Sequence, residues 1–486
     1  MSIRQEMIKG VFWSAVQKYS GIVVQIGVTA VLARLLCPED FGAIAIATVL
    51  ISFFSLFTDM GIGAAIVQNQ ELSGNDLNSI FSFSIYGGIL LSALFFFSSP
   101  LIGGIYESGQ LTDICRILSV NLLFASWNIV PNALINKNKR FKFIAQRTLG
   151  LQVLCGIVSV VVAFNGLGVY ALVISPLFTS IGVFVLNYRQ YPLKFTCSEN
   201  FQPLKKIASF SFYQFLFNFI NYFSRNLDKL IIGKSFNMNE LGYYEKSYRL
   251  MMLPMQNITH VITPVMHPIL TSLQDDYQEL TEKYNKIVRL MATLSFPTGV
   301  FLYFSAEDLI TLVYGSQWMK AIPVFKILAL SVPLQMILST TGSIYQSSGK
   351  VKYQFYGGVS NSCCTVAGFI VASVFFQDIE AMAWAWTITL HVNFVISFII
   401  LYKAVLQQRL HGVLKQLIFP MVSGAVLAFV LFIAKNELGN APHYVSLAIM
   451  TVIVGTTVVI SGYIWRKHEI LRIYESCKRK LSIHKK

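Results

Sequence analysis

Apolar runs recur along this chain from Gly10 to Ile464 with hardly a soluble interval. Each is long enough to cross the ~30 Å hydrocarbon layer as a helix of about 20 residues. No other feature narrows the possible folds so far. In lipid every backbone N–H and C=O must be satisfied within the protein, which leaves helices or a closed barrel. A barrel needs alternating segments of about ten residues, and continuous runs such as GIVVQIGVTAVLARLL exclude it. Composition agrees. Of the 486 residues 55% are hydrophobic and 13% charged, against about 25% charged in an ordinary soluble protein. The length rule predicts about fourteen spans, within 9–36, 39–67, 76–106, 111–136, 140–165, 167–190, 204–233, 239–269, 283–306, 319–347, 351–376, 380–406, 412–435 and 442–466. The opening MSIRQEMIKG is basic, but the span after it is too long and too polar for a signal-peptide core, so it is expected to stay as the first helix.

Most of the 38 Lys and Arg residues fall in segments after even-numbered spans or at the termini, eight of them in the tail from Arg466. Segments after odd spans hold only Arg34, Lys234, Lys320 and Lys435. By the positive-inside rule both ends are expected in the cytoplasm. The formal charge of +15 then reflects topology and attraction to the anionic headgroups of the bilayer. Nucleic acid is not an expected partner, because the basic residues are scattered over many loops instead of gathered on one folded module. The longest stretches outside lipid, about 190–203, 270–282 and the tail from 466, are too short for a catalytic domain of at least ~50 residues. The seven cysteines show no paired metal spacing and read as small apolar side chains. His260 and His267 are expected to be structural. No phosphate-binding glycine loop, H-E-x-x-H or nucleophile elbow is present. The sequence therefore supports neither an enzyme, nor a metal site, nor a cofactor.

The chain partly repeats itself. CPEDFGAIAIA from Cys37 and NMNELGYYEKS from Asn237 place Asp40-Phe41-Gly42 against Glu240-Leu241-Gly242 at an offset of 200, and Ile117-Leu118 aligns with Ile327-Leu328 at an offset of 210. Six spans per unit is an even number, so both units must share one orientation, a parallel repeat of the kind in which transporters hold substrate between the halves. The expected fold is an all-α integral membrane protein of about fourteen transmembrane helices in two parallel six-helix lobes plus two C-terminal helices. Its segments are an N-terminal lobe over 1–190, a C-terminal lobe over 204–407, two further spans over 412–466 and a basic cytoplasmic tail over 467–486.

Charges lie inside some of these spans. Gln214, Asn218, Asn221, Arg225 and Asp228 follow steps of 4, 3, 4 and 3, one polar stripe on a helix otherwise covered by Phe and Leu. The corresponding stripe of the first span is Ser14, Lys18, Gly21, Gln25 and Val28, and the eighth span adds Glu245, Arg249, Met252, Gln256 and Thr263. Each charge at the bilayer centre costs ~2.5–3.5 kcal/mol on insertion scales, so intramembrane ionisable residues face a bundle interior or a wet cavity. Counting ~1.5 Å per residue from Asn239, Arg249 lies ~15 Å deep. Arg225 with Asp228, and Glu245 with Arg249, stand at spacings that also permit plain ion pairing. Lys18 has no acid at three or four residues on either side. Substrate-binding candidates are Lys18, Arg147, Arg225, Lys229 and Arg249; Asp59, Asp228 and Glu245 are candidates for ion coupling or charge pairing.

SRNLDKLIIGKSFNMNELGYYEKSYRLMMLP resembles the R-x-x-D-x-x-x-I-G…L-G-x-Y signature of Wzx-like lipid-linked oligosaccharide flippases, the polysaccharide transporter branch of the multidrug, oligosaccharidyl-lipid and polysaccharide exporter superfamily. The opening span pair is similar to that branch too, with P-x-D-F-G at Pro38–Gly42 and D-x-G-x-x-x-A-x-V-Q from Asp59. The resemblance is strongest over 9–100 and 204–255. It implies a two-lobed bundle with a central cationic cavity that carries undecaprenyl-pyrophosphate-linked oligosaccharide repeat units across the bacterial cytoplasmic membrane, working beside polysaccharide polymerase and export machinery. Arg225, Asp228, Gly42 and Gly242 match its motifs directly. A small-molecule efflux antiporter of the same superfamily is the alternative; a glycan polymerase would require a substantial outer loop bearing reactive residues.

Overall fold

The computed structural model describes residues 3–69, 71–196, 202–271, 273–274, 276–439 and 441–483. Among these every regular element is helical, as expected of a chain that must close its own backbone hydrogen bonds in lipid. Contacts divide the chain into two compact units, Met1–Glu245 and Lys246–Lys486.

The first unit runs α1 (Ile3–Leu35), α2 (Pro38–Asp59), α3 (Ile62–Gln68), α4 (Gly74–Ile105), α5 (Gly109–Trp127), α6 (Ile129–Lys137), α7 (Phe141–Phe164), α8 (Tyr170–Gln190), α9 (Gln202–Ser235) and the start of α10 (Met238–Thr271). The second continues with α11 (Tyr277–Phe304), α12 (Ala306–Val313), α13 (Ala321–Ala329), α14 (Val332–Leu338), α15 (Thr341–Ser347), α16 (Val351–Val371), α17 (Ile379–Ile399), α18 (His411–Glu437) and α19 (His443–Ile483). Ten helices among the described residues are long and apolar enough to cross a bilayer. The number is twelve if the pairs α5 with α6 and α13 with α14–α15, bent by 43° and 46°, each count as one span. Large apolar side chains such as Leu90, Phe97, Phe375 and Val459 stand on the outside, a surface suited to acyl chains. The protein is a multi-pass membrane protein.

Apolar side chains gain little by leaving lipid for one another, so helices in a bilayer associate through close backbone approach and interhelical hydrogen bonds. In the α4–α5 hairpin a Cβ on Gly88 would fall 2.7 Å from the Ser126 side chain. Ser126 Oγ donates to the Ser84 carbonyl at 2.7 Å and Ser92 Oγ to that of Ser119 at 2.7 Å. Between α1 and α7, Gln152 Nε2 donates to the Gly21 carbonyl at 2.8 Å.

In the second unit α18 and α19 pack on α11 through Leu427, Leu431 and Met450 against Val300, Phe301 and Phe304. The buried Asp308 carboxylate of α12 ties the same pair down: it accepts from Lys435 Nζ at 2.9 Å, His443 Nδ1 at 2.7 Å and Ser446 Oγ at 2.8 Å. Burial pushes this carboxyl up, but the three donors together with the Lys435 charge outweigh burial and hold it below the usual carboxylate range.

Candidate functional site

The turn before α2 starts from Cys37, whose N–H donates to Asp40 Oδ2 at 3.2 Å, with Pro38 at the first helical position where its missing N–H costs nothing. Two hundred residues later Asn237 Oδ1 accepts from Glu240 N at 2.9 Å at the start of α10. The two helix starts cross. A Cβ on Gly42 would lie 1.9 Å from the Met238 carbonyl oxygen, and a Cβ on Gly242 would lie 2.0 Å from that of Pro38. Each repeat-related glycine thus seats on the other helix's first residue, a reciprocal contact of two-fold character.

From this crossing α10 carries Glu245 to α9. Lys229 Nζ stands 2.9 Å from Glu245 Oε2, with the two side chains 16% and 10% exposed. Tyr244 OH donates to Asp228 Oδ2 at 3.2 Å, and Asp228 is buried. Three of the expected site residues, Asp228, Lys229 and Glu245, are therefore brought together, with Tyr244 closing the group. Another face of α9 is fixed to α2: Tyr222 OH donates to the Val49 carbonyl at 3.0 Å, and the rings of Phe53 and Phe57 pack tilted or edge-on against Phe215, Phe219 and Tyr222. The side chains of Arg225, Gln214 and Asn221 lie outside the described residues. Lys18 is half-buried on α1, and Arg249 is exposed on the part of α10 that belongs to the second unit.

Arg147 and Asp59 belong to a second polar region of the first unit. The Arg147 guanidinium on α7 donates to Asn187 Oδ1 on α8, and Asn187 Nδ2 donates in turn to Asn128 Oδ1 at 2.8 Å and Asn132 Oδ1 at 3.4 Å. Asn187 is completely buried. Asn128 and Asn132 line a cavity of about 650 Å³ together with Thr58, Asp59, Gln68 and Asn136. Asp59 also shapes the break between α2 and α3. Met60 and Gly61 there have φ of 41° and 76°, and the Asp59 carboxylate accepts from the backbone of Gly61 at 3.3 Å and Gly63 at 3.4 Å. Asn128, Asn132 and Asn187 are not among the residues expected from the sequence. For the first two a signal is present, an Asn at every fourth position of WNIVPNALINK, but uncharged amides do not stand out as charges do.

Residues 31–323 match the family model described as Polysaccharide biosynthesis protein. The chain belongs to that family. Relatives run nearly its whole length. Teichuronic acid biosynthesis protein TuaB of Bacillus subtilis (strain 168) is 24% identical over 434 residues, 89% of each chain. Lipopolysaccharide biosynthesis protein WzxC of Escherichia coli (strain K12) is 24% identical over 84% of this chain and 83% of its own. Succinoglycan biosynthesis transport protein ExoT of Rhizobium meliloti (strain 1021) is 22% identical over 93% and 90%. The fold is similar to that of the lipid II flippase MurJ in its inward closed conformation, with a TM-score of 0.74 over 95% of this chain and 100% of that one at 15% identity. It is also similar to an inward-facing multidrug resistance MATE family transporter of the MOP superfamily, with a TM-score of 0.62 over 79% and 94% at 13% identity. The expected family and the all-helical transporter fold are thus both found.

Proposed function

We propose that this member of the polysaccharide biosynthesis protein family is a flippase. It moves undecaprenyl-pyrophosphate-linked oligosaccharide repeat units from the inner to the outer leaflet of the bacterial cytoplasmic membrane by alternating access through a cationic cavity. The observation that carries the reading is the near full-length match to relatives named for polysaccharide biosynthesis, one of them a transport protein, on a flippase-like fold. We take α9 and α10, each of 34 residues, as two further spans, and place both termini in the cytoplasm from the distribution of Lys and Arg.

A polar glycan cannot be dragged through hydrocarbon, so its head needs a wet slot while the long tail stays among acyl chains. Arg and Lys give a diphosphate charge-assisted hydrogen bonds, and Arg gives them bidentately. We assign Lys18, Arg147, Arg225, Lys229 and Arg249 to that task. Lys229 and Arg147 hold Glu245 and Asn187, so an arriving diphosphate would take Lys229 in exchange for its carboxylate. A membrane potential negative inside would favour outward movement of the anionic head by ~2.3 kcal/mol per charge per 100 mV. Partners on this reading are the lipid-linked oligosaccharide, the bilayer, and polysaccharide polymerase and export machinery; no covalent step is assigned to the protein.

The test is reconstitution in liposomes with a defined undecaprenyl-pyrophosphate oligosaccharide, scoring the glycan that becomes accessible to an added glycosidase. Lys18→Ala and Arg249→Ala should insert and fold yet fail to present the glycan; full transport by both would refute the assigned residues. The MATE-like fold favours a second reading, small-molecule efflux antiport, and export of a cationic drug by the same liposomes without glycan transport would establish it.

A further inference from the structure

The amide-lined cavity of the first unit has none of the cationic residues assigned above on its lining, and its hydrogen-bonding polarity is fixed from outside by one of them, Arg147. An arginine can only donate. Because Arg147 donates to Asn187 Oδ1, the Asn187 amide nitrogen must point the other way, toward Asn128 and Asn132. Those two residues must then accept through their oxygens, which leaves both of their NH₂ groups as donors with no hydrogen bond among the described residues. Asp59, on the same lining, is an acceptor whose two oxygens each take one backbone N–H and retain further lone pairs.

A wall of neutral amide donors set beside acceptors suits groups that donate and accept at once, as sugar hydroxyls and acetamido groups do. It does not suit a phosphate. Among the described residues no lysine or arginine lines the cavity, and the Asp59 carboxylate would repel an anion. The volume of about 650 Å³ falls within the roughly 300–1,000 Å³ of small-molecule sites. On the proposed orientation the cavity lies at the cytoplasmic end of the first unit, where Lys137 Nζ on α6 donates to the Asn69 carbonyl at 2.6 Å. A lipid-linked unit in the inner leaflet would meet it first.

We infer that this cavity is a binding site for neutral sugar residues of the glycan, with Asn128, Asn132 and Asp59 as its contacts and Arg147, acting through Asn187, as the positioning residue that sets its donor polarity. The inference rests on the flippase reading for its ligand and names a sugar-recognition site whose own contacts, Asn128, Asn132 and Asp59, are not among the diphosphate contacts.

The experiment uses the full-length protein in detergent and two probes: a neutral oligosaccharide released from the host's own polysaccharide, and undecaprenyl phosphate without sugar. Binding of each is measured by calorimetry. Asn128→Asp and Asn132→Asp keep shape but replace a donor with an acceptor, and each should weaken oligosaccharide binding at least tenfold while leaving undecaprenyl phosphate binding within twofold of wild type. Arg147→Met should weaken oligosaccharide binding at least tenfold, and Arg147→Lys, which restores a donor, should recover it; the undecaprenyl phosphate comparison is read on the two Asn variants alone, because Arg147 is also assigned to the diphosphate. Ala64→Phe occludes the cavity from α3 without touching the amide chain and should also abolish oligosaccharide binding, so the test survives if an amide variant fails to fold. Wild-type protein that ignores the oligosaccharide, variants that bind it as wild type does, or equal loss of both probes in the Asn128→Asp and Asn132→Asp proteins would each overturn the inference. Failure of wild-type liposomes to transport the lipid-linked unit, with oligosaccharide binding intact, would instead remove the flippase reading and leave the sugar site standing.

Discussion

Replacing Asp308 by Asn tests how the last two helices are held. Asp308 is 1% exposed and takes hydrogen bonds from Lys435 at 2.9 Å, His443 at 2.7 Å and Ser446 at 2.8 Å. Asn has the same shape but one acceptor oxygen in place of two, and no charge. Removing one partner of a buried ion pair costs about 3–5 kcal/mol. Lys435 keeps Glu307 at 3.6 Å as a second carboxylate and is itself about a quarter exposed, so Asp308→Asn should fall at the lower bound, about 3 kcal/mol. The pH dependence follows from the depressed titration of this carboxyl. A folded value below the unfolded one contributes stability that is full above the ordinary carboxylate range near pH ~4 and is lost as pH falls through the folded value. Unfolding in mixed micelles at a series of pH values, read by tryptophan fluorescence, would show wild type more stable than Asp308→Asn near neutrality and the gap closing in acid. Equal stability at neutral pH, or a gap unchanged well below pH ~3, would refute the reasoning.

Two further outcomes follow from the first unit. Gly42→Ala and Gly242→Ala would each place a methyl about 2 Å from a backbone carbonyl, and overpacking of ~1–3 kcal/mol against an unyielding partner should exceed the ~1 kcal/mol that Ala gains in a helix; a thermal-unfolding midpoint at or above wild type would contradict this. Lys229→Met removes a cation 2.9 Å from the nearly buried Glu245 and should lower the midpoint, while adding Glu245→Gln should recover most of it; a double variant that is stable but transports nothing would show that the charges serve transport beyond their mutual pairing.

Much of the bundle was legible because lipid forces long apolar helices, and a helix that keeps charges in such surroundings must turn them inward. The polar stripe expected on α9 rests on spacing alone, and of its members only the side chains of Asn218 and Asp228 are among the described residues. What the spacing shows, however, is the neighbour on the same helix. Lys229 finds Glu245 across a crossing, and that partnership depends on where α10 is seated. The Gly42 and Gly242 motifs were visible, but the reason for them, two carbonyls within 2.0 Å of where a Cβ would be, exists only in three dimensions. Asn187 illustrates the opposite case. Its role follows from the donor-only chemistry of a neighbour 40 residues away, which no local pattern encodes.

The crossing at Gly42 and Gly242 reads the same from either helix, so a polypeptide half as long could form it with a second copy of itself. Tandem duplication of such an ancestor would preserve the joint while releasing the duplicates from identity. The amide wall is an instance: Asn128 and Asn132 align at the 210-residue offset with Leu338 and Gly342, whereas Asn136 meets another amide, Gln346, so the two halves share only part of that wall.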